Sequence, residues 1–322
     1  VKSGETVARG QGSDITALSP KTQALLANIN SVLVGQQKPT RLAVTALLSG
    51  GHVILEDVPG VGKTLLAKSL ANSIKSTFKR IQCTPDLLPS DVSGVSIFEQ
   101  KESAFKFIPG PIFTNILLCD EINRATPRTQ SSLLEAMEEH QVTTDGTTRK
   151  LPELFFVIAT QNPVEQHGTF PLPEAQLDRF AICLSLGYPK PTEESEILKK
   201  TLEEGGFDVQ PVLTMEEVLA AKQAVKKVFV HQALINYIVE IVNATRKHPS
   251  INLGVSPRGS QILMRAAQAN AFIEARDFVR PEDIKVIAPA CLGHRIIPKV
   301  KANKISYAEL IEKVLETIPV PS

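Results

Sequence analysis

An α/β fold, a parallel sheet flanked by helices and followed by a separate helical region, is predicted by three stretches of this chain. His52 to Thr64 reads as strand, Gly/Pro turn and helix; Ile116-Leu117-Leu118-Cys119 is an unbroken apolar run ending in Asp120-Glu121; and beyond Gly187-Tyr-Pro-Lys-Pro191 strand patterns give way to helical ones. The 322 residues, 43% hydrophobic and 21% charged, are ample for two cores.

In chain order, Lys21 to Leu48 carries helical spacing in two pieces broken at Val34-Gly35-Gln36. Gly35 and Gln36 can line a base pocket or form a plain helix break. Val53-Ile54-Leu55 is a buried strand, and Leu66, Leu70 and Ile74 share one face of the helix that follows. Between them, Pro59, Gly60, Val61, Gly62, Lys63, Thr64 and Leu65 form a phosphate-binding loop. Backbone N–H groups approach a triphosphate only where no Cβ intervenes, which Gly60 and Gly62 permit. Lys63 adds a point charge against the β- and γ-phosphates, and the Thr64 hydroxyl can ligate the accompanying Mg²⁺. The generic motif has glycine where this chain has Asp57; its carboxylate would repel phosphate unless it points away.

Phe78 to Cys83 reads as a second strand. Asp86 to Gly110 is an excursion in which Val95–Glu99 and Ala104–Ile108 can pair as a hairpin, with Phe105 and Phe107 on one face. It is a working surface or a cover for the sheet edge. Two carboxylates at the tip of the strand Ile116–Cys119 are costly unless they handle a cation or a proton. Asp120 would hold Mg²⁺ through water, and Glu121 would orient or deprotonate the water that attacks the γ-phosphoryl group.

Thr126-Pro127 caps a helix with Leu133 and Met137 inward, and Asp145-Gly146 is a two-residue turn marking a second inserted hairpin. Phe155 to Thr160 is a buried strand ending at Gln161-Asn162. The Asn162 amide can meet the attacking water or γ-phosphate, or simply favour a turn before Pro163. Pro173 to Phe180 looks helical and precedes a strand over Ala181–Leu186. Arg179 is either a surface ion-pair partner or a cation delivered to a γ-phosphate, sometimes a neighbouring molecule's. In the helical region Thr214-x-x-Glu217 and Ser306-x-x-Glu309 are capping boxes, and Leu234, Ile238, Ile241 and Val242 form an apolar stripe. Ser256-Pro257-Arg258 puts an arginine in a first helical turn, where the dipole disfavours it by about 0.3–1 kcal/mol; a nearby anion would resolve the conflict.

A net charge of +1 gives no global attraction to nucleic acid or anionic membrane. No apolar run approaches the roughly 18 residues of a membrane span, and the polar start, Val1 to Asp14, is not a signal peptide. Cys83, Cys119, Cys183 and Cys291 are scattered and read as reduced core residues of a cytoplasmic protein, and the six histidines, His167 among them, lack metal-ligand spacing.

Taken together, Gly-Val-Gly-Lys-Thr, Cys-Asp-Glu-Ile-Asn-Arg-Ala, Ala-Thr-Gln-Asn-Pro, Leu-Asp-Arg-Phe and Gly-Val-Ser-Pro-Arg, in that order, resemble a MoxR-type AAA+ ATPase from about Asp14 to the end. The wider clade is shared with magnesium chelatase ATPase subunits and minichromosome-maintenance helicases. The resemblance implies a P-loop NTPase core with two inserted β-hairpins and an all-α lid domain. The expected division is a flexible segment over 1–18, the AAA+ domain over 19–190 and the lid over 191–322. It further implies ATP and Mg²⁺ as cofactors, Lys63 and Thr64 as Walker A, Asp120 and Glu121 as Walker B, and Asn162 as sensor one. Arg179 would be an arginine finger acting across a subunit interface, and Arg258 sensor two, reaching back from the lid. Ring oligomers, commonly hexamers, von Willebrand A-type adaptors, and chaperone-like remodelling of protein clients, including metal-cofactor insertion, complete the implied picture. A nucleic-acid motor would need basic hairpins, and Lys101, Lys106, Arg149 and Lys150 supply few charges. A nucleotide-gated scaffold would have no need of Glu121, Asn162 and Arg179.

Overall fold

The computed structural model describes residues 12–162, 168–203, 207–299 and 306–321. Pro163 and His167 lie outside that set. The elements run α1 (Gly12–Val32), α2 (Gln37–Ser49), β1 (Val53–Glu56), α3 (Lys63–Ser73), β2 (Phe78–Gln82), α4 (Pro89–Ser93), β3 (Gly94–Glu99), β4 (Ala104–Pro109) and β5 (Ile116–Asp120). Next come α5 (Pro127–Glu139), β6 (Gln141–Thr144), β7 (Thr147–Lys150), β8 (Phe156–Gln161), α6 (Glu174–Leu177) and β9 (Ile182–Leu184). The remainder is α7 (Pro191–Thr201), α8 (Met215–Lys226), α9 (Gln232–Lys247), β10 (Ile251–Leu253), α10 (Pro257–Ile273), α11 (Pro281–Leu292), β11 (Ile297–Pro298) and α12 (Tyr307–Glu316).

Five strands form a parallel sheet in the order β2-β5-β8-β1-β9. The central strands are buried on both faces, so they read as apolar runs: Val53, Ile54, Leu55 and Ile116 to Cys119 are fully buried. One face packs on α1, α2 and α3 in a core that continues into α8–α12; the other packs on α5 through Leu133, Leu134 and Met137. Leu66, Leu70 and Ile74 are fully buried, as the spacing predicts. His52, at the foot of β1, accepts from the Val157 N–H at Nδ1 and lies 3.2 Å from the Met137 carbonyl through Nε2. Burial pushes its pKa down to about 3, so it is a neutral core histidine.

Both insertions are antiparallel hairpins, β3–β4 and β6–β7. The first leaves the body through a close crossing at Gly94 (φ 97°) and Gly110, where a Cβ on either would meet backbone at 2.2–2.6 Å. Phe105 and Phe107 diverge in use. Phe105 is 76% exposed and meets Phe98 edge to face, whereas Phe107 meets Phe113 edge to face and lies beneath the Arg149 guanidinium, 3.8 Å from the ring centroid. Arg149 thereby ties the hairpins together and also donates to Thr144 and Thr147.

Three boundaries differ from expectation. The chain is helical from Gly12, so residues 12–18 belong to α1 and not to a flexible lead-in. The Pro173–Phe180 helix is only the single turn α6, because a buried guanidinium, Arg295, takes the Asp178 and Phe180 carbonyls out of the helical pattern. The helical region also contains one short antiparallel pair, β10–β11. Among the described residues no helix is long and apolar enough to cross a membrane.

Candidate nucleotide site

In a parallel sheet the loops after the strands share one edge, so the turns after β1, β5 and β8 meet there. They enclose a cleft of about 250 Å³ lined by Pro59, Gly60, Gly62, Lys63, Thr64, Leu65, Arg80, Gln82, Asp120, Glu121, Thr160 and Asn162. Gly60 (φ 86°) and Gly62 (φ 102°) take left-handed backbone, and Gly62 caps the N-terminus of α3, whose free N–H groups and dipole favour an anion. Lys63 Nζ donates to the Asp57 carbonyl at 3.0 Å, which keeps the ammonium folded over the loop.

Asp57 itself points away. Its buried carboxylate accepts from Ser185 Oγ (2.7 Å), Leu186 N (2.6 Å) and Gly187 N (3.1 Å), joining the loop's start to the segment that leads into α7. The repulsion that this residue raised in the sequence is therefore absent, because the carboxylate serves the backbone behind the loop. Asp57→Gly, which restores the generic pattern, is expected to lower unfolding free energy by about 2–4 kcal/mol by orphaning those N–H groups. ATP affinity should change by less than about threefold, since a threefold change is well under 1 kcal/mol. Urea denaturation and nucleotide titration measure both.

Beside the loop, a cleft of about 410 Å³ is lined by Val32, Leu33, Val34, Gln36, Gly60, Val61, Gly62, Leu65, Pro189, Ile197 and others, an apolar slot suited to a base. Gln36 caps α2 and lines the slot. Gly35 (φ 75°) does not; it forms the turn, where a Cβ would strike the Glu193 carboxylate.

Asp120 is buried and accepts from Arg80 Nε at 2.6 Å and from the Thr160 hydroxyl at 3.3 Å. Glu121 sits in left-handed backbone (φ 56°, ψ 50°), a conformation that costs a non-glycine residue about 1–3 kcal/mol and clusters at functional sites. Its N–H donates to the Thr160 hydroxyl, and its carboxylate accepts from Gln82 (3.0 Å) and Arg124 (3.0 Å). Asn162 follows β8 and lines the same cleft. Sequence reasoning missed Arg80, Gln82 and Thr160. Arg80 and Gln82 alternate along the edge strand β2, so both face the cleft, and that period-2 pair was the available signal. Thr160 sat inside an apolar run and gave none. Burial pushes the Cys83 thiol up to about 12, with Asp120 and Glu121 adding to the shift, so it stays protonated beside the site.

Arg179 and Arg258 are elsewhere. β9 runs parallel to β1 with Val53 opposite Ile182, so Arg179, three residues before Ile182, lies at the sheet edge opposite the phosphate loop. There Arg179 Nε meets Glu138 Oε2 at 3.2 Å and Arg258 Nη1 meets Glu138 Oε1 at 3.1 Å. Both arginines line one cleft of about 520 Å³ with Gly50, Gly51, His140 and Arg265. Arg258, expected as sensor two reaching back from the lid, faces Glu138 and not the phosphate loop of its own chain. Ser256, the N-cap of α10, donates to Asp178 Oδ2, which fixes the start of α10 beside Arg179. Glu138 is the anion that the helix-dipole conflict at Arg258 required.

Residues 52–182 match the family described as ATPase family associated with various cellular activities (AAA), and residues 243–314 match the AAA lid domain. The chain is 50% identical to the uncharacterised protein YeaC of Bacillus subtilis over 94% of its own length and 96% of the relative's. It is 40% identical to the chaperone MoxR1 of Mycobacterium tuberculosis, over 91% and 80% of the two lengths. A crystal structure of a candidate ATPase from Cytophaga hutchinsonii superposes with a TM-score of 0.89 at 39% identity, covering 96% of this chain and 97% of that one. The AAA and lid matches, the phosphate loop at the C-terminal edge of a parallel sheet and the MoxR relatives agree: the chain belongs to the MoxR family of AAA+ ATPases, chaperone-like enzymes that bind and hydrolyse ATP.

Proposed function

We propose that the chain hydrolyses ATP at a site completed by a second copy of itself in a ring. The observation carrying this reading is the separation of the two clefts: the phosphate loop and carboxylates lie at one edge of the sheet, and Arg179 with Arg258 at the other. A head-to-tail contact that joins one molecule's arginines to the next molecule's nucleotide repeats from copy to copy, and it makes a ring when the rotation between copies closes. The AAA+ unit, with α1 included whole and ending near residue 190, and the lid over 191–322 would move relative to each other as nucleotide turns over.

Within one molecule, the backbone of Pro59 to Leu65 and Lys63 hold the phosphates in the smaller cleft beside Asp120, while Gln36 and Val34 border the base in the adjoining slot. Thr64 and Asp120 offer hard oxygen donors in that cleft, which fits Mg²⁺. This ion is bound with water and substrate phosphates and needs no all-protein cage; none of three or more His, Cys, Asp or Glu exists among the described residues. Bound there, Mg²⁺ would offset the charge of the phosphates. Glu121 orients and deprotonates the attacking water, Asn162 contacts that water or the γ-phosphate, and Arg179 and Arg258 of the neighbouring copy stabilise the charge that develops on transfer.

The work done is remodelling or maturation of protein complexes in the cytoplasm, metal-cofactor insertion included. Clients are presented by a separate adaptor of the von Willebrand A type, and six copies form the ring. A nucleic-acid track is disfavoured, since Arg149 is engaged within the protein. The test is Mg·ATP turnover per subunit against protein concentration. The rate per subunit should climb with concentration and plateau with assembly; a rate independent of concentration over a range where the mass changes would overturn the shared site.

A further inference from the structure

Glu138 occupies a position that the reaction as described does not use. It lies in the last turn of α5, which contains no basic residue, and a carboxylate there faces the negative end of the helix dipole. Arg258, in the first turn of α10, faces the positive end of its own helix. Each charge is disfavoured by its own helix and offset by the other. Glu138 also takes Arg179, so one carboxylate bridges two guanidinium groups, one oxygen to each.

What stands behind the two arginines is rigid. Arg295, whose side chain is 1% exposed, donates Nε to Asp178 Oδ1 at 2.7 Å, and its Nη atoms donate to the carbonyls of Asp178, Phe180, Ala181 and Cys291. The Asp178 and Phe180 carbonyls flank Arg179 on either side. Asp178 uses its other oxygen for Ser256 at 2.9 Å, which anchors the start of α10. The backbones bearing Arg179 and Arg258 are thus pinned to one buried guanidinium, while their side chains are 30% and 39% exposed in an open cleft. A fixed base with exchangeable tips suits two cations that swap one anion for another.

We infer that Glu138 is a positioning residue, the resident counter-ion that holds Arg179 and Arg258 together in the unassembled chain and gives them up to the terminal phosphate of a neighbour's nucleotide. The inference rests on the proposed shared site. Partly exposed ion pairs are individually weak, so Glu138 competes with the incoming phosphate without blocking it. The exchange involves no covalent change: two guanidinium groups leave a carboxylate and meet phosphate oxygens.

The test compares Glu138→Gln, and Glu138→Ala as a second variant, with the wild-type chain in Mg·ATP turnover and in sedimentation at rising protein concentration. With the competing charge removed, the concentration giving half-maximal turnover, and the KM for ATP below saturation, should fall by about three- to tenfold. The split matters, because a merely structural role would lower kcat and the thermal midpoint and leave the assembly midpoint in place. An assembly midpoint that is unchanged or raised in both variants overturns the inference. Arg179→Ala separates the two levels. If it is inactive while Glu138→Gln leaves the midpoint unmoved, the counter-ion role fails and the shared site stands; if Arg179→Ala turns over normally, the shared site itself has failed.

Discussion

Glu121→Gln is expected to lower ATP turnover by about 10²–10⁴-fold, the usual worth of a positioned general base, while ATP binding is retained. The side chains are nearly the same size, so the left-handed backbone at Glu121 and its N–H bond to Thr160 should persist. The amide cannot accept the water's proton, and the variant should trap unhydrolysed ATP. Single-turnover assays with bound-nucleotide analysis would read this directly. Loss of binding together with turnover would mean instead that Glu121 shapes the cleft, through Gln82 and Arg124.

Arg179→Ala is the second large effect. Removing a cation aimed at a transferring phosphoryl group costs about 10³–10⁵ in rate. The substitution should spare the fold, because the buried contacts at this turn belong to its neighbours: Arg295 binds the Asp178 carboxylate and the carbonyls on either side, and Phe180 is fully buried. Nucleotide affinity of the isolated subunit should also survive, since the phosphate loop is at the other edge of the sheet. Turnover at saturating protein concentration, set beside nucleotide binding by the dilute protein, separates these outcomes.

The parts of this molecule that follow one-dimensional rules were legible in the sequence. Val53 to Leu55 and Ile116 to Cys119 had to be doubly covered strands, and a glycine-rich turn between strand and helix had to leave backbone N–H groups free. The Asp145-Gly146 turn was equally local: φ values of 52° and 72° at those residues match the paired left-handed conformation that such a dipeptide favours. What depended on distant segments was hidden. Asp57 reads as an electrostatic fault until Ser185, Leu186 and Gly187 arrive as its donors, some 130 residues later. Arg295 carried no signal in the sequence, yet it is a buried clamp on the turn that bears Arg179, and it cuts short the helix expected there. The direction of Arg258 was set by Ser256 on Asp178, which no spacing rule anticipates. Thr160 was concealed in a run of apolar neighbours because its hydroxyl is satisfied internally by Asp120 and Glu121.

The central claim is that one catalytic site is built from two copies of the chain, and the most direct test is complementation between two inactive variants. Glu121→Gln and Arg179→Ala would be co-expressed, copurified as mixed oligomers and assayed beside each variant alone. In a random mixture about one interface in four joins an intact Glu121 to an intact Arg179 from the next subunit, so about a quarter of the wild-type rate should return. A mixed oligomer that binds ATP but turns it over no faster than either variant alone would contradict the claim and confine catalysis to a single chain.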